Sequence, residues 1–281
     1  MEQQLENGNS DRKTFGKSSV NFKTVSSILT KATGFMNEYD YTLNPYSGCT
    51  FGCTYCYAAF FSTSQEKRDN WGHWVEVKEN ALALLQRKRK RPMKQMTIYM
   101  SSVTDPYQPI ERELELTRSI LKELIEFHDV RLVVQTRSGI ITRDIDLLRQ
   151  FQAIQVNMTI TTDSEVVRKV FEPFCSSNAT RLNAIKEVKA AGINACISIT
   201  PLLPVENPVN FINELLGIGV DKFVVQPFHS EKGNYVAGTR ESAMRLLREF
   251  NWTPQRYKEV ESLMKSMIPA IGIGKSGFNP V

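Results

Sequence analysis

What the chain lacks narrows it first. Its opening residues, "MEQQLENGNSDRKTFGK", hold no apolar run of the kind a secretory signal needs. No later stretch reaches the ~18 consecutive apolar residues of a membrane span. The expected setting is therefore cytoplasmic, with no membrane partner and with thiols kept reduced. Neither an internal repeat nor a low-complexity tract is present, so the sequence reads as an ordinary globular protein. Disulfides are also excluded as a framework: there are 5 cysteines, an odd number, and three of them fall within eight residues. That crowding points to a metal or cluster site. Charge is close to balanced, at +5, which permits an acidic partner such as nucleic acid or an acidic peptide without requiring one.

Concentrated charge occurs only in "QRKRKRPMK", Gln86 to Lys94. Its position after "VKENALALLQ" makes it the solvated end of a helix, where cations offset the carbonyl dipole and Pro92 ends the run. A nucleic-acid patch is the alternative.

At 281 residues and 41% hydrophobic, the chain can bury a substantial core as one α/β barrel or as two smaller domains. From Tyr41 onward, β-rich runs alternate with amphipathic helical patterns. The runs are "YTLNP", "QMTIYMS", "RLVVQTR", "IQVNMTI", "INACISIT" and "DKFVVQP", and helices are expected around 78–90, 111–127, 142–150, 180–191 and 207–217. Such alternation predicts parallel strands joined by right-handed crossovers. Six strands fall short of a closed barrel, so the expected fold is α/β, a partial (β/α)6 TIM-like barrel over 39–230. A loose N-terminal arm, 1–38, whose end can pack on the domain, is expected before it and a short helical C-terminal cap, 231–281, after it, with Thr253 and Pro254 opening the second cap helix. Each run ends in a polar, turn-prone segment, and in a barrel all such ends meet on one face, where active sites are built.

The densest chemistry lies in "NPYSGCTFGCTYCYAAFF", just after the first strand. Cys49, Cys53 and Cys56 can hold three irons of a [4Fe–4S] cluster, leaving the fourth iron free to bind a small molecule. Gly48 and Gly52 suit a loop that wraps closely around a bulky cluster. Two other readings exist. Cys53 and Cys56 could form a redox pair, which leaves Cys49 without a role. A structural zinc site would need a fourth ligand, and the nearest histidine, His73, lies seventeen positions beyond Cys56. Cys175 and Cys196 read as ordinary loop and strand residues.

Cys-x3-Cys-x2-Cys with an aromatic residue before the last cysteine, at the end of the first barrel strand, resembles the signature of the radical S-adenosylmethionine enzymes. "VTDPYQPIERELELTR", "QTRSGIITRDIDLL" and "FEPFCSSNATRLNAIKEVKAAGI" extend the resemblance, over about Tyr41 to His229, to the spore photoproduct lyase-like branch. The resemblance implies a [4Fe–4S] cluster, S-adenosyl-L-methionine bound at the open iron, an external electron donor, and cleavage of the sulfonium to a 5'-deoxyadenosyl radical. It also implies that Tyr55 lies against the adenine, and that Thr104, Asp105, Arg137 and Thr159 surround the cofactor at successive strand ends. No catalytic side chain is assigned.

One position departs from the branch. Photoproduct lyases carry a cysteine hydrogen-atom donor two residues before the position matching Thr104, and Ser102 stands here. With less chain after the barrel to clamp a duplex, the expectation is a lyase acting on a ribosomally made peptide, of the type that excises tyramine, with or without a small helper protein. The alternatives are a photoproduct-type DNA repair enzyme and a non-catalytic iron–sulfur protein.

Overall fold

The computed structural model describes residues 14–220, 222–228, 239–269 and 271–281. Twelve strands form two sheets among these residues. The smaller sheet contains β1 (Thr14–Phe15), β2 (Ser18–Lys23), β5 (Tyr46–Gly48) and β6 (Trp74–Lys78), in the order β1-β2-β6-β5. The larger contains β3 (Leu29–Lys31), β4 (Tyr41–Leu43), β7 (Met96–Met100), β8 (Val130–Thr136), β9 (Ala153–Thr159), β10 (Asn194–Ile199), β11 (Lys222–Val225) and β12 (Gly272–Ile273), in the order β12-β11-β10-β9-β8-β7-β4-β3. All its neighbours pair in parallel except β3, which runs antiparallel to β4. The two edge strands do not pair with each other, so the barrel is open, as six strands had suggested.

Side-chain alternation gives the sheet two faces. Ile98, Met100, Leu132, Val134, Val156, Met158, Ile197 and Val225 lie in the main core with Ile120, Leu121 and Leu124 of the helix Leu116–Phe127 and Ile185 and Val188 of the helix Asn178–Ala190. The opposite face carries Tyr99, Val133, Cys196 and Val224, plugged by Tyr39 and Phe278. Further toward the strand C-termini that inner face changes character, because Gln135, Asn157, Thr159 and Ser198 continue it with amides and hydroxyls.

Several expectations are corrected. Residues 14–31 are not a loose arm but supply strands to both sheets, because Val20 and Leu29 bury against them; residues 1–13 lie outside the described residues. The helix expected over 111–127 breaks at Glu115, whose φ is +46°. A further helix, Glu165–Phe171, arises where none was expected, with Ser164 accepting from the Val167 amide at its N-cap. The C-terminal segment does more than cap. Thr253 and Pro254 open the helix Pro254–Met267 as expected, which packs beside the helix Pro208–Gly217 and leads into β12. Residues 229–238 lie outside the described residues, and with them His229, the far end of the resemblance.

The basic run forms the 3-10 turn Arg87–Lys90, before β7 begins. It therefore sits at the N-terminal edge of the parallel sheet, opposite the C-terminal strand ends; the cysteines follow β5 of the smaller sheet, not the first strand of the large one as expected. Arg89 is committed there, donating to both Glu123 carboxylate oxygens at 2.8 and 2.6 Å and lying 3.5 Å over the Phe127 ring.

Candidate active site at the C-terminal strand ends

The cysteine loop leaves β5, crosses the C-terminal edge of the large sheet and returns through β6. Its path depends on glycine at two points. Gly48 has φ +75°, and a Cβ there would meet the Trp74 ring at 2.5 Å; Gly52 has φ +61° and lies against Gly72 and Phe174. Cys49 and Cys53 are buried, Cys56 is half-buried, and all three are free thiols. Among the described residues no three His, Cys, Asp or Glu side chains converge tightly enough to hold one ion. A cubane asks something different, since each thiolate meets its own iron. Three soft donors on one glycine-hinged loop, beside a cation, fit that group.

The cation is Arg137, immediately after β8. Its Nη1 donates to Cys53 Sγ at 2.9 Å, to the Tyr55 hydroxyl at 2.6 Å and to Glu172 Oε1 at 3.1 Å. Tyr55 OH in turn donates to Glu172, and its ring packs edge-on against Phe228. Asp105 joins the two strand ends: Oδ1 accepts from Thr136 Oγ1 at 2.7 Å and from the Tyr107 amide at 2.9 Å, and Oδ2 from the Arg137 amide at 2.9 Å. Thr104 Oγ1 donates to the Gly48 carbonyl at 2.6 Å. Thr159 ends β9, where its hydroxyl accepts from Gln135 Nε2 at 2.6 Å.

All five residues expected around the cofactor are thus brought to one edge of the sheet, together with the three cysteines. They differ in what they have free. Asp105 already accepts from three protein donors, so in this structure it holds strand ends together. By contrast, Asn157 Nδ2 and Gln226 Nε2 are buried donors without a protein partner among the described residues. Acceptors such as a carboxylate or ribose oxygens would satisfy them, so the polar inner face fits S-adenosylmethionine.

Sequence reasoning missed three residues here. Glu172, wholly buried, accepts from Tyr55, Arg137 and Thr161 and forms a 2.5 Å ion pair with Arg181, also wholly buried. Cys175 is not an ordinary loop residue, because its Sγ lies 3.7 Å from Cys53 Sγ. The helix Glu165–Phe171 delivers both Glu172 and Cys175. Its signal was a serine before "EVVRKVF", with valine and phenylalanine four apart, hidden by the short length of the segment.

Electrostatics follow from burial opposed by these cations. Burial pushes the Cys49 thiol well up and Cys56 up to about 11. Cys53 moves the other way: the hydrogen bond with Cys175 lowers it most, and Arg137 adds to this against burial. Burial would raise Glu172, but Arg181 and Arg137 hold it down at about 2. Beside the cysteine loop there is therefore an anionic carboxylate between two guanidinia.

The radical SAM superfamily profile matches residues 43–215. Uncharacterized protein MJ0683 of Methanocaldococcus jannaschii is 39% identical over 164 residues, covering 58% of this chain and 61% of that protein. Uncharacterized protein Rv2578c of Mycobacterium tuberculosis is 28% identical over 190 residues, covering 64% and 54%. The chain therefore spans less than two thirds of the length of these curated relatives. Among solved structures, a spore photoproduct lyase complexed with dinucleoside spore photoproduct superposes with a TM-score of 0.60 at 16% identity, over 92% of this chain and 82% of that one, which is a likeness of fold. With the profile covering more than half of its residues, the chain belongs to the radical SAM superfamily, whose members use a [4Fe–4S] cluster and S-adenosylmethionine.

Proposed function

We propose that this radical SAM enzyme is a lyase that cleaves a carbon–carbon bond in a ribosomally made peptide, of the tyramine-excising type. Cys49, Cys53 and Cys56 hold the cluster. Arg137 faces the methionine carboxylate, Tyr55 the adenine, and Thr104 and Thr159 the remaining polar groups, while Asp105 acts on the cofactor only through the strand ends it ties together. When bound, the cluster and cofactor supply a carbon radical that removes a hydrogen atom from substrate. The chain's own part is to orient the cofactor over the polar inner face and to exclude water from it.

The observation that carries the substrate reading is Ser102. It stands where photoproduct lyases have their thiol, its hydroxyl accepts from Asn44 Nδ2 at 3.4 Å, and its carbonyl accepts from the Tyr57 hydroxyl. An alcohol O–H is a much poorer hydrogen-atom donor than a thiol. A peptide backbone radical can fragment, and the radical left on one product is then quenched by one electron from the external donor and a proton, a route that needs no thiol at this position. The position of the basic run supports the same reading, since a duplex held on Arg87 to Arg91 would lie at the far edge of the sheet from the cysteines.

Repair of a dinucleotide photoproduct is the second reading, favoured by the fold likeness over most of the chain. The experiment incubates reduced enzyme and S-adenosylmethionine with photoproduct DNA in one tube. The other tube holds a tyrosine-containing precursor peptide, with any small helper protein encoded beside it. Mass loss from the peptide with 5'-deoxyadenosine release is expected; repaired DNA with untouched peptide reverses the ranking.

A further inference from the structure

Cys175 lies outside the three-cysteine motif, yet it is held against that motif from both sides. The Thr54 amide donates to the Phe171 carbonyl at 2.8 Å, and Thr54 Oγ1 donates to the same oxygen at 3.3 Å. One turn further on, Arg168 Nη1 donates to the carbonyls of Glu172 at 3.2 Å and Cys175 at 3.0 Å, and the Cys175 amide donates to the Glu172 carbonyl at 3.1 Å. Phe174 packs against Gly52. The backbone around Cys175 is therefore tied to the backbone around Cys53, whatever rotamer either side chain adopts. Cys175 Sγ has two acceptors in reach, Cys53 Sγ at 3.7 Å and the Phe51 carbonyl at 3.9 Å.

A thiol that binds iron is deprotonated. In the loaded enzyme the proton shared by this sulfur pair must therefore reside on Cys175, which becomes the donor. The separation also decides what Cys175 is not. Two sulfurs 3.7 Å apart are too close to serve different irons of one cube without moving, and too far apart to be a disulfide.

We propose that Cys175 is a positioning residue for the cluster: its S–H donates to the Cys53 sulfur, alongside Arg137 Nη1 at 2.9 Å, and makes the cluster easier to reduce. Hydrogen bonds to cluster sulfurs stabilise the electron-rich reduced form more than the oxidised one, and are among the levers that set cluster potential. Two donors on one ligand sulfur lower the demand on the external reductant. This inference rests on the assignment of Cys49, Cys53 and Cys56 as cluster ligands.

The test is a redox titration of anaerobically reconstituted enzyme, followed by electron paramagnetic resonance, for native protein, Cys175→Ala and Cys175→Ser. Cys175→Ala should load iron as the native chain does. Its midpoint should fall by the equivalent of roughly a fivefold to tenfold change in the reduction equilibrium, with tenfold being about 59 mV for one electron. Cys175→Ser, whose hydroxyl still donates, should recover part of that loss. An unchanged midpoint in Cys175→Ala at full iron content overturns the proposal. So does loss of iron in Cys175→Ala equal to that in Cys53→Ala, which would make Cys175 a ligand. Normal iron uptake by Cys53→Ala would instead defeat the ligand assignment itself, so the two failures are separable.

Discussion

Replacing Glu172 by glutamine removes, among the described residues, the one carboxylate paired with both Arg137 and Arg181, and changes nothing in shape. Glu172 and Arg181 are wholly buried, and the ion pair between them is 2.5 Å long. Glu172 is held at about 2 against an ordinary value of 4.5. That depression corresponds to about 3 kcal/mol of native stability. An independent route gives a similar size, since removing one partner of a buried ion pair costs roughly 3–5 kcal/mol by stranding the other charge. The pH dependence has a definite sign. Because folding lowers the Glu172 value, its contribution is complete above about pH 4.5 and is lost as pH falls toward about 2. Urea unfolding followed by tryptophan fluorescence at pH 7, 5 and 3 tests both statements. Glu172→Gln should unfold about 3 kcal/mol more easily at pH 7, and its deficit against the native chain should shrink at pH 3. The double variant Glu172→Gln/Arg181→Met should recover part of the loss. A deficit at pH 7 below ~0.5 kcal/mol, the range of ordinary surface changes, would refute the reasoning.

Singly replacing Cys49, Cys53 or Cys56 by alanine should abolish the reduced-cluster paramagnetic signal and iron uptake after anaerobic reconstitution; retention of iron by any of the three would remove that residue from the ligand set. Gly48→Ala, which places a Cβ 2.5 Å from the Trp74 ring at φ +75°, should lower thermal stability and iron loading together, read by calorimetry and iron assay. Arg137→Ala should weaken S-adenosylmethionine binding by roughly 1.5–3 kcal/mol, the worth of a hydrogen bond to a charged group, measured by calorimetric titration. Ser102→Cys should give no gain in turnover of a dinucleotide photoproduct, and improved clean repair would count against the peptide reading. Reversing Arg87, Lys88 and Arg91 to glutamate should leave cofactor binding unchanged, because these residues sit at the opposite edge of the sheet.

The sequence by itself determined the class of chemistry and the order of the fold. Three thiols at fixed spacing are a local property, and so is the alternation of β-rich and amphipathic runs; the six runs from "YTLNP" to "DKFVVQP" all became strands of the large sheet. The polar strand ends were legible for the same reason, since parallel crossovers bring successive ends to one face. Tertiary structure alone decided which side chains meet. Cys53 and Cys175 are 122 positions apart and Tyr55 and Glu172 are 117 apart, and their contacts depend on how one short helix docks on the cysteine loop. The strands at 14–31 were equally hidden, because β2 finds its parallel partner β6 far along the chain and short polar runs carry little periodicity of their own. Asp105 shows the same limit from the other side. Its place at a strand end could be read locally, but only the fold reveals that both its oxygens are taken by Thr136, Tyr107 and Arg137. Local pattern sets what each segment forms and which atoms it offers; burial and long-range pairing set which of those atoms remain free for chemistry.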